Sequence, residues 1–235
     1  MLNQLPLPES GNIEQIIHMS DLHIRTGDYE SSRYDQYMYV FNCIQNKLKY
    51  LDNIESTVIV ITGDIFHHKK RLEAPGISMF ITMINSFSKY CPIYIIQGNH
   101  DYQQEHPNHP DILSSFLCKP IYSNNIAYMK NTGHYIAGDI GFAVTSIKDM
   151  LLQNTTSGFQ TNLPNFPDPK LFPNNIKYKI ALCHGIITGT QFENYVCNDG
   201  IPITRFNGYN IGLFGDVHHR QIHNCTYSSQ NNIYT

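Results

Sequence analysis

The chain has 235 residues, 41% of them hydrophobic and 15% charged, which suits one large or two small packed domains and excludes a disordered chain. Sixteen basic against nineteen acidic residues give a formal net charge of -3, so no global basic field argues for nucleic-acid binding, although a local basic patch stays compatible with it. Six cysteines are scattered without a CxxC pair, and no apolar run is long enough for a bilayer, so the expectation is reduced thiols, an intracellular setting (cytoplasm or nucleus) and no membrane partner.

In chain order, the first strand is expected at "IEQIIHMS" (13–20). A helix follows over 32–51, with Tyr37, Val40, Phe41, Ile44, Leu48 and Leu51 at helical spacing. "TVIVITG" (57–63) predicts a second strand, and 74–90 a second helix with Pro75 near its start. "PIYIIQG" (92–98) predicts the third strand. Residues 126–147 read as short strands with a hairpin turn at "GDIG", and 153–175 as a long loop rich in proline and asparagine. "KYKIALC" (177–183) and "YNIGLFG" (209–215) predict two more buried strands, and 220–235 two strands around a Ser-Ser-Gln-Asn turn. Strands alternating with helices in the first half argue for an α/β layered fold.

Each of the five apolar strands ends in residues able to bind a metal. Asp21 and His23 follow the first. Asp64, His67 and His68 follow the second. Asn99, His100 and Asp101 follow the third, His184 the fourth, and Asp216, His218 and His219 the fifth. Ligands of open α/β sheets collect at the carboxyl ends of strands. The set holds oxygen and imidazole donors and no thiolate, which suits divalent Mn²⁺, Fe²⁺ or Zn²⁺. In Asp21-x-His23 two side chains leaving the same side of an extended segment could grip one ion. A glycine before Asp64 and before Asn99 allows a sharp turn.

This order of D-x-H, GD, GNHD, H and a final x-H pair resembles the calcineurin-like metallophosphoesterase superfamily. The resemblance spans Asp21 to His218 and implies an α/β (α+β) four-layer β-sandwich flanked by helices, with a centre of two divalent ions. It would assign Asp21, His23 and His218 to the first ion, Asp64 to both, and Asn99, His184 and Asp216 to the second. His100 would be catalytic, assisting the leaving oxygen as hydroxide attacks phosphorus. The usual ending is Gly-His-x-His, whereas this chain has Gly-Asp-Val-His. Asp216 could bind a hard ion such as Mn²⁺ or Mg²⁺ directly, His219 could supply the imidazole instead, or Asp216 could only orient a ligand histidine.

"DIFHH" after the second strand and "VHHRQ" at the end resemble the SbcD/Mre-type nucleases of DNA double-strand-break repair. That resemblance implies DNA as substrate, Mn²⁺ first among Mn²⁺, Mg²⁺, Fe²⁺ and Zn²⁺, and an SbcC/Rad50-like SMC-type ATPase as partner. It further implies a homodimer, with His67 positioning a DNA phosphate or sugar beside His100. Arg25, Arg33, His68, His219 and the basic run 69–71 are candidate phosphate contacts, or solvated surface. Asp101 could cap the backbone or orient His100. One catalytic domain over 1–235 is expected, without the capping domain or the ATPase-binding C-terminal segment. The Gly-Asp-x-His ending resembles versions from large DNA viruses. The alternatives are a phosphatase or small-molecule phosphodiesterase of the same superfamily, and a non-catalytic scaffold with this fold.

Overall fold

Runs such as "TVIVIT" have no polar alternate face, so they belong in a sheet covered on both sides. The computed structural model describes residues 2–26, 31–69, 72–103, 105, 109–117, 125–154, 166–224 and 232–234. Among these residues, eleven strands form two sheets. The first is four-stranded and all parallel: β2 (Gln15–Met19), β3 (Thr57–Thr62), β4 (Ile93–Ile96) and β5 (Ile126–Tyr128), in that order. The second is a mixed sheet of seven. It holds β1 (Asn3–Gln4), β6 (Gly133–Ala137), β7 (Ile140–Val144), β8 (Tyr178–His184), β9 (Ile211–Gly215), β10 (Ile222–Asn224) and β11 (Asn232–Tyr234). Their spatial order is β1-β6-β7-β8-β9-β11-β10, with β7, β8, β9 and β11 mutually parallel.

The period of two along each strand sorts the core. Val58, Val60, Tyr94 and Ile96 face the second sheet and meet Phe142, Val144, Ile180, Leu182 and Leu213. Their neighbours Ile59, Ile61, Ile93 and Ile95 face outward onto helices α1 (Ser31–Lys49) and α2 (Ala74–Phe87). Helix α2 starts with proline in its first turn and buries Met79, Phe80, Met83, Ile84 and Phe87, each contributing about 1.5–3 kcal/mol by leaving water. The far face of the larger sheet is covered by Phe172, Ile176, Ile187 and Phe206, with Met150 of helix α4 (Ile147–Asn154) against them. The four layers expected of the sandwich are thus present. No helix among the described residues is long and apolar enough to cross a membrane.

The expected strands and long helices form close to their predicted limits. The "GDIG" hairpin is a two-residue turn, Gly138 with φ 61° joining paired Ala137 and Ile140. Two short helices lie where none was expected: α3 (Ile112–Leu117) and α4. Residues 153 and 154 end α4 and do not begin a loop, while 155–165 fall outside the described residues, as does the Ser-Ser-Gln-Asn turn. Val40 is 49% exposed, because the stripe through Tyr37, Phe41, Ile44 and Leu48 turns its side of α1 away from the sheet.

Parallel pairing brings the carboxyl ends of β2, β3 and β4 to one edge, and those of β8 and β9 meet them there. The N–H of Asp21 donates to the Gly63 carbonyl, and that of Gly185 to the Gly215 carbonyl, both at 3.1 Å. Glycines permit this approach. A Cβ on Gly98 would collide with Asp64, and one on Gly215 with Ser20 and the Thr62 carbonyl.

Candidate metal centre

Five strand ends deliver seven of the predicted ligands to one place. Asp21, His23, Asp64 and Asp216 all have left-handed backbone, with φ of 54°, 45°, 53° and 84°. The expectation that Asp21-x-His23 is extended is therefore corrected. Both residues curl instead, and the turn holds because the His23 and Ile24 N–H groups donate to the Asp64 and Ile65 carbonyls at 2.9 and 2.8 Å. From α1, the Tyr37 hydroxyl donates to the His23 carbonyl at 2.7 Å. Residues in this region each cost on the order of 1–3 kcal/mol, and such strain gathers at functional sites.

The side chains fall into two overlapping groups. Nε2 of His23 and Nε2 of His218 converge at 3.1 Å, each 3.9 Å from Oδ1 of Asp21. Nε2 of His184 lies 3.4 Å from Oδ2 of Asp64 and 3.7 Å from Oδ1 of Asp216. Oδ2 of Asp64 is also 3.6 Å from Nε2 of His23, so it stands between the groups. Bonds of about 2.1 Å to one ion require neighbouring donors about 3.0–3.4 Å apart, close to the shorter of these separations.

His184 gives the sharpest test of fit. Its side chain is fully buried, and Nδ1 donates to the Thr62 carbonyl at 2.7 Å, which leaves Nε2 as the acceptor. That Nε2 makes no well-aligned hydrogen bond among the described residues, its nearest acceptor being Oδ2 of Asp64 at 3.4 Å. A buried polar atom left unpaired is costly, and a cation facing Asp64 and Asp216 would satisfy it. Burial pushes the pKa of His184 down, but Asp64 foremost, then Asp216 and Asp21, raise it to about 9. A positive charge is therefore wanted at this spot, as a proton or as a metal ion. Burial, opposed by His184 and reinforced by Asp64 and Asp21, raises the Asp216 carboxyl. Asp64 goes the other way. Burial raises it, but His184 and His100 overbalance that and hold it ionised.

The amide Nδ2 of Asn99 donates to Oδ1 of Asp216 at 3.3 Å, and the Asp216 N–H donates to both oxygens of Asp21 at 3.1 and 3.2 Å. The carboxylate of Asp216 thus borders the centre through Asn99 and His184, whereas His219 is exposed; neither joins the groups of converging donors among the described residues. His100 lies beside the centre, with Nδ1 against the His67 carbonyl at 2.5 Å and Nε2 4.0 Å from Oδ2 of Asp64. The His67 ring stacks on His100, centroids 5.7 Å apart and planes 25° apart, with His68 packed edge-on 4.9 Å behind His67. His23, His67 and His100 form a third group of converging donors. Arg25 shares a shallow hollow with His68 beside Thr26 and Glu73, to one side of the ligands. Lys70 and Arg71 lie outside the described residues.

Sequence reading left Asp101 open between two roles, and its contacts are with backbone. The fully buried carboxylate accepts N–H bonds from Ile65, Phe66 and Gly98 at 3.1–3.3 Å. It ties the turn that carries Asp64 to the turn that carries Asn99 and His100. Burial, then Asp64, raises its pKa to about 6 against those three donors. Tyr37 was legible only as an apolar position on α1. Nothing in the spacing marked its hydroxyl as a support for His23.

The family model for calcineurin-like phosphoesterase matches residues 15–220. Among curated relatives, "Uncharacterized protein R555" of Acanthamoeba polyphaga mimivirus is 29% identical over 214 residues, covering 90% of this chain and 15% of that protein. "Putative phosphoesterase 244L" of Invertebrate iridescent virus 6 is 28% identical over 118 residues, 50% of this chain and 36% of that protein. The chain therefore spans well under half the length of these relatives. The solved nuclease MPE of Pseudomonas putida is 10% identical, with a TM-score of 0.33 over 94% of this chain and 87% of that one, a likeness too low to bear on fold or activity. With its strand-end Asp, Asn and His residues in the order the motif requires and a family match over most of its length, the chain belongs to the calcineurin-like phosphoesterases.

Proposed function

We propose that this domain is a DNA phosphodiesterase of the SbcD/Mre type, working with two divalent ions, Mn²⁺ first. The observation that carries the reading is the histidine pair beside the centre. His100 is pinned through Nδ1 to the His67 carbonyl, and its other nitrogen faces the Asp64 carboxylate. His67 stacks against it as a second imidazole on the same side. Asp21, His23 and His218 would hold one ion, Asn99, His184 and Asp216 the other, and Asp64 both. Such ions supply Lewis-acid polarisation of the phosphoryl oxygens and activation of water. His100, with Nε2 as its only open nitrogen, is placed to give a proton to the departing ester oxygen. His67 would hold the neighbouring phosphate or sugar, with Arg25, His68 and His219 as outer contacts. In the proposed cellular role, an SbcC/Rad50-like ATPase partner delivers broken DNA ends. The exposed Tyr39 and Val40 of α1 give the proposed homodimer an apolar surface.

The test is degradation of end-labelled single- and double-stranded DNA with Mn²⁺, Mg²⁺ or EDTA. Mn²⁺-dependent release of nucleotides, abolished by EDTA and by His100→Ala, is expected. Turnover of p-nitrophenyl phosphate with no cleavage of DNA would replace this reading with a phosphatase.

A further inference from the structure

On the footing of that diester-cleaving centre, we propose that Asp216 sets the charge of the site so that it favours phosphodiesters over phosphomonoesters. The side chain is aimed inward from a left-handed backbone, its N–H held by Asp21 and its Oδ1 accepting from Asn99. The same Oδ1 is 3.7 Å from the buried Nε2 of His184, which Oδ2 of Asp64 faces at 3.4 Å. Among the described residues, the ion pairs of the centre join carboxylates to imidazoles.

The charge count follows. With neutral ligand imidazoles and a neutral Asn99, three carboxylates from Asp21, Asp64 and Asp216 face the four positive charges of two divalent ions, while a protonated His100 and an attacking hydroxide would cancel each other. One positive charge remains. A phosphodiester carries one ionised oxygen and matches it. A phosphomonoester, whose second pKa is about 6, brings two negative charges near neutral pH and leaves the site net negative. Charge mismatches in a partly buried site are weakly screened, so the excess tells in binding. With a neutral residue at 216, two positive charges remain and the balance tilts toward the dianion. The carboxylate also fixes the Asn99 amide, since an acceptor at 216 decides which end of that amide donates.

The experiment uses bis(p-nitrophenyl) phosphate and p-nitrophenyl phosphate, which share a leaving group and differ by one ester. Wild type, Asp216→Asn and Asp216→His are compared at saturating Mn²⁺, and Mn²⁺ binding to the metal-free proteins is followed by electron paramagnetic resonance. The diester-to-monoester ratio of kcat/KM is expected to fall about tenfold or more in both variants, the scale of one charge at this range. Asp216→Asn is also expected to bind its second Mn²⁺ more weakly. An unchanged ratio in variants that load two ions overturns the proposal, as does Asp216→Asn binding both ions as tightly as wild type. Failure of both variants to load a second ion overturns it too, because Asp216 is then an indispensable ligand and not a setter of charge. Wild type that loads two ions but turns over neither ester sinks the diesterase reading alone. The charge inference then rests on competition: dimethyl phosphate must perturb the Mn²⁺ signal at lower concentration than inorganic phosphate in wild type, and not in Asp216→Asn.

Discussion

Oδ1 of Asp64 accepts the backbone N–H of His100 at 2.8 Å, while Oδ2 of the same carboxylate faces the ring nitrogens of His184, His23 and His100 at 3.4, 3.6 and 4.0 Å. One oxygen is spent on the fold and the other is offered to the centre. Asp64→Asn keeps the shape and removes the charge between the two ligand groups. Mn²⁺ affinity is expected to fall at least about a hundredfold, beyond what loss of a mere supporting contact causes. Calorimetric titration of metal-free protein checks this, and unchanged affinity would remove Asp64 from the centre.

His100→Ala separates chemistry from metal binding. Its ring stands beside the ligand groups with Nδ1 committed to a carbonyl. Turnover should drop about 10²–10⁴-fold, the usual worth of a general acid, with Mn²⁺ binding within a factor of a few. A matching loss of Mn²⁺ would make His100 a ligand.

Ions should stabilise the folded chain. The carboxylates around buried His184 favour a positive charge there, and a bound divalent ion supplies more of it than a proton does. Mn²⁺ at about a hundred times its dissociation constant adds about 2.7 kcal/mol. The melting temperature should rise by several degrees on adding Mn²⁺ and fall back with EDTA, and a flat response would contradict the fit.

His18 sits on β2 with Nε2 against the Thr62 hydroxyl at 2.7 Å. Burial, only partly opposed by Asp21, lowers its pKa to about 4, against about 6.5 in an unfolded chain. The unfolded state therefore takes up a proton below 6.5 that the folded state refuses until about 4. Stability from this residue is complete above pH 6.5 and declines as pH falls toward 4, by up to about 3 kcal/mol. Urea unfolding at pH 7.5, 5.5 and 4.5 should show a shallower decline for His18→Gln than for wild type. Superimposable profiles would remove His18 as the cause.

Asp101→Asn tests the tie between two turns. A carboxamide has one acceptor oxygen for three N–H donors and adds an NH₂ group facing them. A loss of about 2–4 kcal/mol is expected, from unpaired buried donors. Chemical denaturation measures it. An effect below 1 kcal/mol, taken as roughly the worth of a single hydrogen bond, would mean the turns hold without it.

The strands and the motif order were legible because both are written in short, local signals: Ile and Val runs that must be covered, and polar residues placed straight after them. The four layers were implied by the family resemblance alone, because β3 and β4 are apolar on both faces and their sequences do not say which face meets the other sheet. The curl at Asp21 and His23 was not legible. It depends on bonds from His23 and Ile24 to Asp64 and Ile65, some forty residues away. The preference for Asp216 over His219 rested in the sequence on position in the motif alone. Burial and the contact with Asn99 distinguish them. Helices α3 and α4 are too short for periodicity to declare them.

The left-handed backbone at Asp21, His23, Asp64 and Asp216 restricts the residue alphabet of the centre a second time. Outside glycine, that conformation is entered most readily by Asn, Asp and His, the same side chains that supply metal donors. Drift at these positions is therefore confined to exchanges within one small set. Asp-to-His and Asp-to-Asn changes can arise without rebuilding the turn, whereas branched or bulky residues are excluded by the main chain before chemistry is consulted. On the proposed reading, single steps at position 216 would change the charge of the centre while its architecture stays fixed.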